Sequence, residues 1–150
     1  MTAQALPFDS ARLDRLMDEA GIDVLLATSK HNVQYLLGGH RSLFFDYMDA
    51  MGLSRYLPIV VYPRGKPEKA AYFGHRLETF QKEVKPFWTT EAQTNSSGAL
   101  DTMKKATDYL RASGVPNKCI GIETTFMPMD AGSALRKALP DAEIKDALAY

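Results

Sequence analysis

A chain of 150 residues has the length of one ordinary domain, enough to bury roughly two thirds of its unfolded surface without disulfide or metal staples. Its 18 basic and 18 acidic residues cancel, which argues against nucleic acid or an anionic membrane surface as a partner. The longest apolar run, Leu57 to Tyr62, is far short of the roughly 20 residues that a membrane span needs. Charged residues at Asp9, Arg12, Asp14, Arg15, Asp18 and Glu19 leave no apolar core for a signal peptide. Cys119 is the only cysteine, so no internal disulfide forms and a cytoplasmic location is expected.

From an N-cap at Asp9 or Ser10, apolar residues at Leu13, Leu16, Met17 and Ala20 mark one helical face, and Gly21 supplies a left-handed stop. The run from Ile22 to Thr28 is nearly all apolar and predicts a strand covered on both faces, with Asp23 and Thr28 at its ends. Residues His31 to Leu37 suit a single helical turn anchored by Val33, Leu36 and Leu37, after which Gly38 and Gly39 release the backbone. An irregular stretch then runs to Tyr56. Leu57 to Tyr62 predicts a second buried strand, Pro63 to Pro67 a turn, and Lys69 to Phe73 a third strand, together an antiparallel hairpin.

The spacing of Leu77, Phe80 and Val84 predicts a short helix, followed by an extended piece over Pro86 to Thr89. Thr90 to Gly98 reads as a polar loop in which Asn95, Ser96 and Ser97 compete as N-caps for the next helix. That helix turns Ala99, Met103, Ala106 and Leu110 inward and stops at Gly114. Lys118 to Glu123 predicts a strand; Asp130 caps a helix with Ala131, Ala134, Leu135, Ala138 and Leu139 on one side, ended by Pro140; Glu143 to Ala147 closes the series as a short strand. Strands and helices alternating through one core predict an α/β fold, a mixed β-sheet with helices on both faces.

Few residues of this frame stand in a pattern that carries chemistry. His31, His40 and His75 stand at no metal-binding spacing and read as solvated or hydrogen-bonded loop histidines. Cys119 lies in an apolar strand and reads as core. No serine sits in a nucleophile elbow, and Gly38-Gly39 makes a turn rather than a phosphate loop. The loop from Gly38 to Tyr47 is the one concentrated stretch: His40, Arg41, Asp46 and Asp49 lie beside Phe44, Phe45 and Tyr47. Such a composition suits a pocket wall or a subunit contact, and equally aromatics packed on their own core under solvated charges. Within it, Arg41 can clamp a carboxylate bidentately or form a surface ion pair with Asp46 or Asp49.

The segment Asn32-Val33-Gln34-Tyr35-Leu36-Leu37-Gly38 resembles the N-x-x-Y-L-x-G signature of the amino-terminal domain in the creatinase, prolidase and aminopeptidase P family. Ile120-Gly121-Ile122-Glu123 resembles that domain's G-[VI]-E strand, and the likeness runs from about Ser10 to Ala147. It implies a single domain over residues 1–150 whose catalytic partner, a pita-bread domain holding two divalent metal ions through two Asp, one His and two Glu, would begin beyond Tyr150. None of those ligands maps onto this chain, so the resemblance implies no metal and no catalytic residue here. It further implies a homodimer in which this domain lends loop residues to the neighbouring subunit's site, with His40, Arg41, Phe44 and Phe45 as candidates by position. Asn32, Tyr35, Leu36 and Gly38 are the residues that carry the motif itself. The parent activity expected is that of an Xaa-Pro dipeptidase or aminopeptidase. The alternatives are a stand-alone binding or assembly module and the amino-terminal domain of a creatinase-like or other non-peptidase pita-bread enzyme.

Overall fold

The run beginning at Ile22 becomes the centre of the sheet. In the computed structural model, which describes residues 5–40 and 56–148, β1 (Val24–Ala27) lies between β2 (Ile59–Pro63), antiparallel to it, and β5 (Cys119–Ile122), parallel to it. With β3 (Ala71–His75), β4 (Glu91–Ser96) and β6 (Glu143–Asp146), the order is β4-β3-β2-β1-β5-β6. β2 and β3 form the expected antiparallel hairpin, while β4 joins β3, and β6 joins β5, in parallel.

Period-two alternation divides the apolar strands between two cores. Val24, Leu26, Ile59, Val61, Phe73, Ile120 and Ile122 face helices α4 (Ala99–Ser113) and α5 (Met129–Ala138), which contribute Met103, Ala106, Leu110, Ala131 and Leu135. On the opposite face, Val60, Tyr62 and Tyr72 meet α1 (Ser10–Ala20) and α2 (Lys30–Leu36) through Leu13, Met17, Ala20, Val33 and Leu36. The sheet is mixed, with helices on both faces. Both cores explain why β1 and β2 carry almost no polar side chain. Cys119 is buried in the second core, where burial raises its thiol pKa, in keeping with a packing role.

Asp9 caps α1 by accepting from Arg12 N at 2.9 Å, and Gly21 ends the helix at φ +66°. Several local expectations need correction. Residues 30–36 make two turns of helix rather than one, because Ser29 caps them and accepts from Asn32 N. His31 therefore belongs to α2 rather than to a loop. The third strand begins two residues late, since Pro67 starts a 3₁₀ turn over Pro67–Lys69. Helix α5 opens at Met129 behind Pro128, so Asp130 sits in its first turn instead of capping it.

Two larger corrections lie on one side of the sheet. The polar stretch after Thr90 is not a loop but β4, a terminal strand whose place is set by backbone pairing to β3. The cap of α4 is accordingly Gly98, and Ser97 turns to the Asp101 carboxylate, with its backbone N 2.9 Å from Oδ2. Residues 76–84 form a 3₁₀ turn (Arg76–Glu78) and the single-turn helix α3 (Gln81–Val84), not one helix. Their apolar stripe points outward, with Leu77 51%, Phe80 52% and Val84 72% exposed. This segment supplies donors to β4: Lys82 Nζ bonds Ala92 O, and Thr79 Oγ1 lies 3.0 Å from Thr94 O. Residues 86–89 are irregular rather than extended, held where Trp88 Nε1 donates to Leu36 O at 2.6 Å.

Candidate functional site

Strand β1 ends at Ala27, and the chain turns at once into α2, so the N–H groups of Thr28 and Ser29 in that turn need partners. Glu123, at the end of the parallel neighbour β5, supplies them from 2% exposure. Its Oε2 accepts from Thr28 N at 2.5 Å and Ser29 N at 2.7 Å; its Oε1 accepts from Ser29 Oγ at 2.6 Å and Asn32 Nδ2 at 2.5 Å. The Asn of one motif is thus bonded to the Glu of the other. A buried carboxylate with four donors meets the requirement that buried charge be paired and hydrogen-bonded.

The rest of the motif shapes the exit of α2. Leu36 is buried and its carbonyl receives Trp88. Tyr35 is 58% exposed, its ring 6.1 Å from that of Phe8. Gly38 has φ +70°, and a Cβ there would stand 2.9 Å from Pro7 Cβ, so both conformation and space require glycine. Its N–H reaches Tyr35 O and that of Gly39 reaches Gln34 O, reversing the chain toward His40. Between α1 and α2 lies a pocket of about 320 Å³, floored by Leu25 and Ala27 and bordered by Arg12, Asn32 and Tyr35.

His40 is the one residue of the proposed loop set within the described residues; Arg41, Phe44 and Phe45 lie outside them. The imidazole is not solvated. Its Nε2 lies 3.0 Å from Oε1 of Glu78, with the two side chains only 8% and 3% exposed. Its ring stands edge-on to Phe87 at 4.9 Å and to Tyr72 at 6.0 Å. Glu78 also accepts from Tyr72 Oη at 2.7 Å through Oε1 and from His75 N at 2.6 Å through Oε2. Gly74 makes room for this: a Cβ there would sit 2.5 Å from Glu78 Oε2. Burial and the adjacent Glu78 push the Tyr72 phenol well above its ordinary pKa, keeping it a donor. Burial, then Arg76, lowers the His75 pKa against an opposing pull from Glu78; the ring caps the following turn by accepting from Leu77 N and lies 4.3 Å from Tyr56.

Glu78 and Tyr72 were not singled out from the sequence, and His75, expected in a loop, closes β3 and is buried. The trace that points to them is the three-residue step from His75 to Glu78, a capping box with histidine in place of the usual Ser or Thr. Among the described residues no three of His, Cys, Asp and Glu converge as a metal site, and no described helix is long and apolar enough to cross a membrane. The arrangement can hold and orient an imidazole.

Residues 10–149 match the family model described as the creatinase/prolidase N-terminal domain. No curated relative matches the sequence. Among solved structures, a proline dipeptidase from Streptococcus pneumoniae aligns with a TM-score of 0.65 at 12% identity, over 92% of this chain and 90% of that one. The creatinase/prolidase N-terminal domain of an Xaa-Pro dipeptidase from Streptococcus pyogenes aligns at 0.59 and 14% identity, over 95% and 97%. A prolidase from Thermococcus sibiricus aligns at 0.67 and 14% identity over 96% of this chain, which spans only 35% of that protein. At such identities these likenesses are of fold, and the mixed sheet described above is the fold they share. With the family model covering nearly the whole sequence, the chain belongs to the creatinase/prolidase N-terminal domain family.

Proposed function

We propose that this chain is the non-catalytic amino-terminal domain of an Xaa-Pro dipeptidase or aminopeptidase, and that it takes part in dimerisation and in the substrate pocket of the neighbouring subunit. The observation that carries this reading is the family match across residues 10–149. In it, two divalent metal ions belong to a separate catalytic domain, and no chemical step is assigned to the residues of this chain. The role of this domain is positional. Glu123 fixes the start of α2, Gly38 and Gly39 turn its exit, and His40 is held where the chain enters the segment carrying Arg41, Phe44 and Phe45.

The test is hydrolysis of a panel of Xaa-Pro dipeptides by the metal-loaded protein that joins this domain to its catalytic domain. Arg41→Ala is expected to weaken substrate binding by about 1.5–3 kcal/mol, the value of a hydrogen bond to a charged group, seen as a raised KM. An unchanged KM across the panel removes Arg41 from the pocket. Turnover of creatine without turnover of dipeptides moves the whole reading to the non-peptidase branch of the family, and a strictly monomeric enzyme in light scattering ends the cross-subunit role.

A further inference from the structure

Strand β6 ends the sheet and pairs on one side only, with β5. Glu143 N donates to Lys118 O at 2.7 Å and Ala147 N to Ile122 O at 2.8 Å, so the odd-numbered residues of this stretch turn toward β5. Parallel pairing alternates, and the N–H and C=O groups of Ile144 and Asp146 therefore point away from the sheet. Among the described residues nothing bonds these outward groups. Such an edge is a template for another strand, and its side chains select which one. In antiparallel pairing of two copies, outward residues must meet outward residues. Asp146 against Asp146 sets two carboxylates face to face, Ile144 against Asp146 sets Lys145 against Lys145, and Ile144 against Ala142 sets Glu143 against Glu143; like charges directly opposite are unfavourable. Ile144 against Ile144 is the register that places Glu143 opposite Lys145, and does so twice.

We propose that β6 is a self-recognition edge, through which two copies of this chain pair antiparallel about a two-fold axis at Ile144, with Glu143 of each copy opposite Lys145 of the other. Lys145 is already set for this. Its Nζ donates to Ala20 O at 3.0 Å, and the Glu143 carboxylate lies 3.9 Å away on the same face of the strand. The charges that turn away an arbitrary strand thus complement one another in a second copy of this one. A strand of four residues covers less than the roughly 800 Å² per partner of a standard interface, so the pairing is weak and shows at high concentration. It supplies a surface for the dimerisation proposed above, and rests on that reading only for its role in the enzyme.

The test is association of the 150-residue chain itself. Sedimentation over a concentration series reaching about 1 mM, where weak interfaces fill, should show a reversible dimer. In nitrogen-15 spectra of the same series the amide signals of Ile144 and Asp146 should move as they gain acceptors, while that of Lys145, already turned to β5, moves less. Glu143→Lys and Lys145→Glu each set like charges opposite in both pairs, and each should weaken self-association about tenfold or more. Mixed in equal amounts, the two variants again present opposite charges in both pairs and should associate as the unmodified chain does. That rescue separates pairing from stability, because Lys145→Glu also removes the bond to Ala20 O, a loss that a second variant cannot restore. If Lys145→Glu does not fold, Glu143→Lys and the amide signals decide. A chain that is monomeric at about 1 mM overturns the proposal. So does a dimer whose Ile144 and Asp146 amides do not move, an association unchanged in Glu143→Lys, or a mixture of the folded variants that fails to associate. A dimer that forms without β6 leaves the dimerisation reading standing, and light scattering of the enzyme carrying the domain judges that reading separately.

Discussion

Glu123 and Glu78 are both buried carboxylates, and they bracket the same segment with different partners. Glu123 meets two backbone N–H groups, a hydroxyl and a carboxamide, none of which titrates near neutral pH. Glu78 meets an imidazole and a phenol as well as one backbone N–H. The first holds the main chain, where α2 leaves the sheet; the second holds a side chain, where the same segment leaves the described core. Damage at Glu123 should therefore appear as lost stability, and damage at Glu78 as lost orientation of the His40 ring.

The largest expected effect belongs to Glu123→Ala, which strands three buried donors and the part-buried Asn32 carboxamide at once. A loss of about 3 kcal/mol or more is expected, at roughly 1–3 kcal/mol for each buried donor left unsatisfied, measured by urea unfolding. A loss below about 1 kcal/mol would mean that water fills the space and satisfies the donors, and the two carboxylates would not differ in the way described. Tyr72→Phe sharpens the contrast from the other side. It removes one bond to Glu78 while keeping the ring in the core, and should cost about 1–2 kcal/mol. Parity with Glu123→Ala in the same measurement would make the Glu78 cluster a main structural support as well.

The smallest effect is in pH. Burial and Arg76 lower the His75 pKa from 6.5, so the fold favours the neutral ring. Its contribution is complete above the ordinary value and is lost as pH falls below 6.5 through the lower folded value. Thermal unfolding should accordingly show a Tm that declines on acidification through this window. His75→Asn, which retains an acceptor for Leu77 N but does not titrate, should flatten that decline; an equal slope in both proteins would assign the titration elsewhere.

How much of this could be read from residues alone depends on how local each cause is. β1, β2 and β5 were legible because two-sided burial demands unbroken apolar runs, and α1 and α4 because caps and apolar spacing agree. β4 was not, since Glu91, Gln93 and Asn95 have no apolar alternation and the strand exists through its pairing with β3. The stripe Leu77, Phe80 and Val84 misled for a related reason: spacing shows that side chains share a face, but not which way that face turns. Asn32 and Glu123 were visible as motif residues, yet their bond spans 91 positions. Glu78 had no motif, and its link to His40 spans 38.

The side chains laid over β4 have a consequence for assembly. Terminal strands invite foreign strands because their peptide groups lie open. Here Lys82 and Thr79 approach the carbonyls of Ala92 and Thr94, and Lys105 Nζ takes that of Asn95 at 3.0 Å. An incoming strand would have to evict these donors before it could zip onto this border. Strand addition at this border is thereby costlier than at one whose carbonyls lie bare.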